Sequence, residues 1–247
     1  MNDKHKAKII YSGKQNLEVM SFADKYNHYL LRLILKFMNG YANVVDFGAG
    51  IGTFAIPLKE DYGIDVVCVE TDDSFINILT KRNITCIRSI DSLQDNSIDY
   101  IYTLNVLEHI ENDFEIIQKF YKKLSYGGGI LIYVPAFQFL YSSMDKNVGH
   151  FRRYTIRELR NKLNSAGFII CEANYVDSIG FLITILYKIF GDKKGYIDRK
   201  KLLIYDKYIF PISIIFDFFF KRFFGKNLYI FAKKEENLIK EDGSCDR

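Results

Sequence analysis

The sequence lacks most features of a secreted or disulfide-stapled protein. Its 247 residues include only three prolines, no tryptophan and four cysteines, and no C-x-x-C pair occurs. The cysteines lie far apart, and three of them stand in apolar, strand-like stretches (Cys68, Cys86, Cys171, with Cys245 in the polar tail). They are therefore predicted to be small core residues in a reducing compartment, and no metal site is predicted.

Long apolar runs and charge clusters are missing as well. No stretch of 18 uncharged apolar residues is present, and the polar N-terminus has no signal-peptide core. We therefore expect a cytoplasmic protein that does not cross a membrane. The net charge of +4 is spread along the chain, which argues against a nucleic-acid partner. Hydrophobic residues make up 49%, enough core for one α/β domain with an insertion.

The most informative stretch runs from Val44 to Thr53. Two β-branched residues lead into Asp46, and Gly48, Gly50 and Gly52 follow at alternating positions. This pattern predicts a buried strand, a tight turn and a helix start, the place where a nucleotide-like ligand binds. The spacing D-x-G-x-G-x-G differs from the G-x-G-x-x-G of dinucleotide sites. A carboxylate before the turn would repel a pyrophosphate, whereas it can bind a cationic ligand group.

Three motifs carry a family resemblance. The glycine stretch resembles motif I of the class I S-adenosylmethionine (SAM)-dependent methyltransferases. The run D-x-S-ψ-D…N-V-L-E-H-I, where ψ is apolar, spans residues 95–110 and resembles motif IV of their UbiG-like and type 11/12 branch. L-Y-S-x-x-D…G-H-x-R-R-Y-T at residues 140–155 is typical of a branch linked to lipid, quinone or cell-envelope saccharide pathways. The resemblance implies SAM as cofactor and S-adenosylhomocysteine as product.

Short apolar strands alternate with helical segments along the chain. This order predicts an α/β, Rossmann-like class I methyltransferase fold: a seven-stranded, mostly parallel sheet with helices on both faces. A helical insertion is expected between strands six and seven. The predicted parts are an N-terminal arm and helix (1–40), a SAM-binding core (41–175) with an acceptor loop (136–155), a hydrophobic helical cap (176–226), a last strand (227–234) and a disordered tail (235–247).

The cofactor site is predicted from the ends of the strands. Glu70 ends the second strand 24 residues after Asp46, where a carboxylate reaches ribose hydroxyls. The resemblance places the methionine part near Asn105. An acid usually follows the third strand, but Ser89 and Ile90 stand there and Asp91 comes one step later, so the adenine contact is open between Ile90 and Asp91. The complete predicted set is Tyr26, Asp46, Gly48, Ala49, Gly50, Gly52, Glu70, Thr71, Ser89, Ile90 and Asn105.

The acceptor loop follows the fifth strand, at the edge where α/β sheets bind ligands. His150 is its only group that titrates near neutral pH, so it is the candidate catalytic base. Arg152 and Arg153 could hold a carboxylate or phosphate. The alternative is a structural loop in which Arg153 pairs with an acid and His150 caps the backbone. The predicted substrate-binding set is His109, Tyr141, Arg152, Arg153 and Tyr154.

The insertion is unusually apolar. Ser178–Phe190 carries one charge, and residues 202–224 are rich in Phe and Ile. The favoured hypothesis is a cap whose aromatics are buried against the main domain. The alternative is peripheral contact with the inner face of a membrane, where Lys221 and Arg222 meet anionic lipid while apolar residues enter the headgroup layer. Those residues are Ile214, Ile215, Phe218, Phe219 and Phe223.

The sequence thus favours a SAM-dependent methyltransferase. O-methylation of a small-molecule, lipid-linked or saccharide acceptor is the preferred activity. Two alternatives stay open at this point: an NAD-dependent oxidoreductase, and a non-catalytic binding module with a methyltransferase-like fold. The oligomeric state is not predicted.

Overall fold

The computed structural model describes residues 13–38, 40–190 and 198–235. A single seven-stranded sheet has the strand order β3-β2-β1-β4-β5-β7-β6, in which β7 alone runs antiparallel to its neighbours. This confirms the predicted fold class. The strands are β1 (Val44–Phe47), β2 (Val66–Val69), β3 (Cys86–Ile87), β4 (Ile98–Leu104), β5 (Leu124–Pro135), β6 (Phe168–Val176) and β7 (Asn227–Lys234).

Helices cover both faces of the sheet. One core packs α2 and α3 against it, and the other packs α5 and α7. The helices are α1 (Gly13–Met20), α2 (Asp24–Met38), α3 (Ala55–Tyr62), α4 (Asp73–Lys81), α5 (Asp113–Lys123), α6 (Ser143–Val148), α7 (Ile156–Ser165), α8 (Ser178–Phe190), α9 (Arg199–Ile204) and α10 (Phe210–Phe220). A π-helical turn at Tyr205–Ile209 joins α9 to α10. The predicted tail (235–247) lies outside the described residues except for residue 235.

Local expectations differ from the structure at two places. A run of glycines usually ends a helix, so Gly127–Gly129 predicts the end of α5, but the helix ends at Lys123 and the glycines lie inside β5. A Cβ on Gly128 would come within 3.1 Å of the Asp99 carbonyl oxygen, so glycine lets the two strands approach here. The run from Asn112 to Glu115 has the form of a capping box. The structure has none there, because the Asn112 side-chain amide donates to the Glu115 carboxylate instead.

The insertion between β6 and β7 is helical, as predicted, and two buried acids attach it to the core. We call α8, α9, α10 and the π-helical turn the cap. Asp206 accepts hydrogen bonds from the first amides of α2, at Lys25 (2.9 Å) and Tyr26 (2.8 Å). Asp217 accepts from Asp177 and Ser178 where α8 begins. Each carboxylate satisfies amides that a helix N-terminus leaves unpaired and meets its positive dipole.

The cap aromatics follow the favoured hypothesis only in part. Phe210 is buried against Tyr26 and Tyr29 of α2, whereas the outer rings point to solvent: Phe218 is 77% exposed and Phe223 is 70% exposed. Ile215 and Phe219 are 67% exposed, while Ile214 is half-buried. No helix among the described residues is long and apolar enough to cross a membrane. The cap is therefore an apolar surface fixed to the core by buried acids.

Candidate functional site

The turn after β1 requires glycine for two reasons: its backbone has positive φ angles, and a side chain would clash with neighbouring residues. Gly48, Gly50 and Gly52 all have positive φ, at 82°, 54° and 82°. A Cβ on Gly48 would lie 2.4 Å from a methyl of Val106, so any larger residue would displace the segment after β4. The turn therefore leaves a concave edge lined by backbone rather than by side chains.

Glu70 faces this turn from the end of β2. One carboxylate oxygen accepts from the Gly50 amide at 2.8 Å, and the other accepts from Thr71 and Asp72 at 2.6 and 2.9 Å. The acid thus fixes the turn and stands where the ribose contact was predicted. Thr71 is exposed beside it, and Ala49 is buried against the next strand.

Asp46 lies underneath the turn and is the main electrostatic anomaly of this region. Its side chain is only 3% exposed, and one carboxylate oxygen has no hydrogen-bond partner among the described residues. Burial raises the pKa of Asp46 to about 7. A buried carboxylate without a partner is costly. The site accordingly fits a ligand that brings positive charge or hydrogen-bond donors.

Asn105 and Tyr26 meet at the neighbouring strand end. Asn105 has a φ of 55°, which is unusual for a residue other than glycine. Its backbone N–H donates to the Tyr133 carbonyl oxygen at 2.8 Å. The Tyr26 ring packs edge-on to Tyr133, and burial raises the pKa of Tyr26 to about 12. In addition, Leu17 of α1 lies 3.0 Å from the position of a Gly50 Cβ. Within the predicted N-terminal arm, α1 therefore contacts the turn through Leu17.

The residues predicted to contact adenine are buried or bonded to other residues of the protein. Ile90 is 1% exposed and belongs to the core between β2 and β4, so it is not available to pack on a base in this conformation. Ser89 caps a short 3-10 turn by accepting from the Asp91 amide. Asp91 itself pairs with Lys119 at 2.9 Å. Burial of Ile90 follows from the turn, which directs its side chain inward.

The acceptor segment, residues 136–155, is not an irregular loop. It contains a 3-10 turn at Gln138–Leu140 and α6, and a buried acid organises it. Asp145 accepts from the Ser142 amide (2.8 Å), from Nδ1 of His150 (2.9 Å) and from Nε and Nη2 of Arg153 (2.8 and 3.0 Å). Burial alone would raise its pKa, but the His150 and Arg153 hydrogen bonds hold the pKa of Asp145 below its usual value.

Two members of the predicted substrate set serve the structure itself. The Arg153 side chain is only 8% exposed, and its guanidinium is occupied by Asp145. Tyr154 is 2% exposed, and its hydroxyl lies 2.8 Å from the Asp113 carboxylate. Both side chains are thus bound to acids of the protein itself, because buried charges and hydroxyls need such partners.

Arg152 and Tyr141 lie closer to the surface. The Arg152 side chain is 27% exposed and pairs with Asp113 at 2.9 Å. Tyr141 donates from its hydroxyl to the His150 carbonyl oxygen at 2.6 Å, which holds the end of the segment. Both border the acceptor segment while retaining partners inside the protein.

Glu108 and His109 approach His150 from the turn that follows β4. Glu108 is fully buried, and burial raises its pKa to about 8. Burial also lowers the pKa of His109 to about 4, so its imidazole is neutral at pH 7. Nε2 of His150 lies 3.8 Å from Oε1 of Glu108. Glu108 was not among the predicted site residues, because an acid at the start of a helix usually only caps that helix.

These features can be compared with known proteins. The methyltransferase domain family matches residues 22–173, more than half of the chain. The chain belongs to this family. The match contains the glycine turn, Glu70, the Glu108–His109 turn and the acceptor segment. It removes the NAD-dependent oxidoreductase alternative.

Curated relatives match over a shorter stretch. Phosphoethanolamine N-methyltransferase 3 of Arabidopsis thaliana is 29% identical over 98 residues, which cover 36% of this chain and 20% of the plant protein. Phosphoethanolamine N-methyltransferase 2 of Caenorhabditis elegans is 26% identical over 100 residues, 36% of this chain and 23% of that one. The match thus spans about a fifth of the length of these relatives.

Solved structures share the fold over nearly the whole chain. A possible histamine N-methyltransferase from Thermotoga maritima superposes with a TM-score of 0.62 at 17% identity, covering 94% of this chain and 100% of that one. A SAM-dependent methyltransferase from Archaeoglobus fulgidus gives 0.60 at 20% identity, with 86% and 94% covered. Phosphoethanolamine N-methyltransferase 2 of Haemonchus contortus, in complex with SAM, gives 0.58 at 19% identity, with 84% and 53% covered.

Proposed function

We propose that this protein is a SAM-dependent methyltransferase that methylates a hydroxyl group of its acceptor. The buried carboxyl group of Asp46 beneath the glycine turn carries the proposal, since one of its oxygens has no hydrogen-bond partner among the described residues and a cationic or donating ligand would supply one. SAM supplies a methyl group on a sulfonium and leaves as S-adenosylhomocysteine. Gly48, Gly50 and Gly52 give it a backbone-lined edge, and Glu70 accepts from the ribose hydroxyls. Asn105 and Tyr26 border the methionine end.

The acceptor side uses His150. Its Nδ1 proton is held by Asp145, which leaves Nε2 with a lone pair facing Glu108 and His109. A hydroxyl must lose its proton when it is methylated, and this lone pair is placed to promote that loss. His109, Tyr141 and Arg152 border the acceptor, and Arg152 is the more exposed of the two arginines.

Cofactor binding is tested by isothermal titration with S-adenosylhomocysteine and with NAD. We expect binding of the former only. Gly48→Ala should weaken it more than tenfold, because a strained φ costs about 1–2 kcal/mol and overpacking against Val106 adds about 1–3. Gly63→Ala is the matched control: φ is 65° and no atom lies within 4 Å of its Cβ position. Equal loss in both variants would contradict the assignment of the turn.

Turnover is tested by incubating a cell extract with the protein and methyl-labelled SAM, followed by mass spectrometry of the products. Wild type should label an extract component that His150→Ala does not label, while the variant still binds S-adenosylhomocysteine. A protein that binds cofactor but labels nothing would instead be the non-catalytic binding module. Label on nitrogen would replace O-methylation with the chemistry named for the phosphoethanolamine relatives.

We further propose that the cap lies on an anionic membrane and that the acceptor is lipid-linked. Its outward apolar residues are each more than half exposed (Leu186, Ile189, Ile215, Phe218, Phe219, Phe223). Exposed Lys221 and Arg222 stand directly between Phe220 and Phe223 in the sequence. Apolar side chains next to basic ones suit the interface of an anionic bilayer, where both terms favour binding.

Co-sedimentation with vesicles tests this contact. Binding is expected to vesicles containing phosphatidylserine and to weaken with salt, whereas pure phosphatidylcholine should bind less. The double variant Phe218→Ser/Phe219→Ser should lose pelleting, and Ile78→Ser, an exposed position on α4, should keep it. Absence of pelleting at low and high salt would remove the membrane proposal without affecting the methyltransferase proposal.

A further inference from the structure

Glu108, His109 and His150 form a compact group of metal-binding side chains. One ligand atom from each lies within 4.8 Å of the others, and no second group of this kind occurs in the part of the chain that the structure describes. The rings of His109 and His150 are nearly perpendicular, with centroids 4.6 Å apart. Two imidazoles and a carboxylate converge here on one small volume.

Glu108 is the observation that points to a ligand. Its side chain is fully buried, and neither carboxylate oxygen has a hydrogen-bond partner among the described residues. Buried carboxylates are normally paired, hydrogen-bonded or bound to metal ions. The backbone holds Glu108 in place, because its carbonyl accepts from the Phe151 amide at 2.8 Å. The side chain therefore stays where only an added cation or donor would satisfy it.

His150 is oriented as metal-binding histidines usually are. Asp145 can only accept, so the 2.9 Å contact fixes the proton on Nδ1 and leaves the Nε2 lone pair free to coordinate. Nε2 lies 3.8 Å from Glu108 Oε1. Two ligands of a tetrahedral zinc ion are roughly 3.4 Å apart, so a small side-chain rotation brings them into range. A carboxylate behind a ligating histidine is the common supporting arrangement.

We propose that Glu108, His109 and His150 bind a divalent transition-metal ion such as Zn²⁺. Two imidazoles and one carboxylate favour Zn²⁺ or Mn²⁺ over Mg²⁺ and Ca²⁺, which prefer all-oxygen sites. Three protein ligands leave a further position open, as in catalytic rather than structural zinc sites. Asp145 is a positioning residue for His150, and Arg153 in turn fixes Asp145.

The role of the ion rests on the proposed function. The site begins three residues after Asn105, so it borders the cofactor end of the sheet edge. An acceptor hydroxyl in the open position would have a lowered pKa and would release its proton to water more readily. His150 then acts on that proton through the ion rather than by direct contact.

The test uses untagged protein dialysed against EDTA and titrated with ZnCl₂, MnCl₂ and MgCl₂ by calorimetry. We expect one equivalent of Zn²⁺ to bind, more tightly than Mg²⁺. Glu108→Gln and His150→Asn should each weaken Zn²⁺ binding at least tenfold, and Asp145→Asn should do so by about 10- to 100-fold. His28→Gln, an exposed histidine on α2, is the matched control and should bind as wild type.

Thermal unfolding supplies a second measurement. Glu108→Gln keeps the size of a buried side chain whose carboxyl oxygens have no hydrogen-bond partner among the described residues, so without metal it should melt at the same temperature as wild type or higher, yet lose the upward shift that Zn²⁺ causes. No stoichiometric Zn²⁺ binding, preferential Mg²⁺ binding, or unchanged affinity in Glu108→Gln would each overturn the metal site. Binding of S-adenosylhomocysteine with labelling that resists EDTA would leave the methyltransferase proposal intact. Zn²⁺ binding without S-adenosylhomocysteine binding would support the metal site and contradict the methyltransferase proposal.

Discussion

The acceptor segment and the cap handle their side chains in opposite ways. The acceptor segment turns charge inward: Asp145 and Arg153 are buried and paired with each other. The cap turns aromatics outward, and Phe218 and Phe223 are the extreme cases. Buried charges need several fixed partners, so the ion pairs of the acceptor segment hold it rigid. Exposed apolar surface of the kind seen on the cap marks a site of contact with a membrane or another molecule. One region keeps its charges inside the protein, and the other leaves its apolar surface to solvent.

The largest effect is expected from breaking the charge network. Asp145→Ala leaves Arg153 buried without its partner and should lower the free energy of unfolding by about 3–5 kcal/mol. Glu60→Ala is the control, because its pair with Arg82 is exposed on both sides and should contribute only about 0–1 kcal/mol. Urea denaturation measures both. Similar losses would mean that the buried network is no different from a surface ion pair.

A smaller effect is expected where the cap is attached. Asp217→Ala removes the acceptor for the first amides of α8 and should lower the free energy of unfolding by about 1–2 kcal/mol. Hydrogen exchange should show faster exchange of the Asp177 and Ser178 amides than in wild type. Unchanged exchange there would show that the carboxylate does not hold the helix.

Asp145 of the acceptor segment and Asp217 of the cap should change the stability of the protein in opposite directions as pH changes. The pKa of Asp145 is lowered, so the unfolded chain takes up its proton first and the stabilisation is lost as pH falls below about 4. Burial raises the pKa of Asp217, so in the folded state it resists ionisation, and stability falls as pH rises from about 4 towards that pKa. Urea denaturation of Asp145→Asn and Asp217→Asn from pH 3 to 7 measures each difference from wild type. Slopes of the same sign would contradict the comparison.

The smallest effect on stability is expected on the outer face of the cap. Phe218→Ser and Phe219→Ser remove exposed rings and should each change the free energy of unfolding by no more than about 0.5 kcal/mol. Their effect should appear in vesicle binding instead. A loss of more than about 2 kcal/mol would indicate that these rings pack against the protein, as the favoured hypothesis for the cap assumed.

The fold was predictable because its signals are local. Glycine spacing, strand-end acids and alternating apolar segments each depend on a few neighbouring residues, and apolar strands that alternate with helices favour a mostly parallel sheet. The residues Thr155 and Glu158, three positions apart, predict a capping box at the start of α7, and that box is formed. The helix end predicted at Gly127–Gly129 was wrong, because a glycine run usually ends a helix. Here the glycines allow β4 and β5 to approach each other closely.

The site was only partly predictable. His150 stood out because it is the only histidine of the segment, but Arg153 and Tyr154 were assigned to substrate because the sequence does not show which acids they meet. Asp145 and Asp113 lie 8 and 41 residues away from them, and only folding brings each pair together. The same holds for Glu108 and His150, whose juxtaposition suggests the metal site.

The sequence alone determined the sheet, its backbone-lined glycine edge and the helical nature of the insertion, because hydrophobic period and glycine conformation act within a few residues. The tertiary structure decided which charges neutralise one another and which aromatics face water. Those outcomes depend on distances between residues far apart in the chain, and burial changes the pKa of an acid only once its surroundings have closed around it.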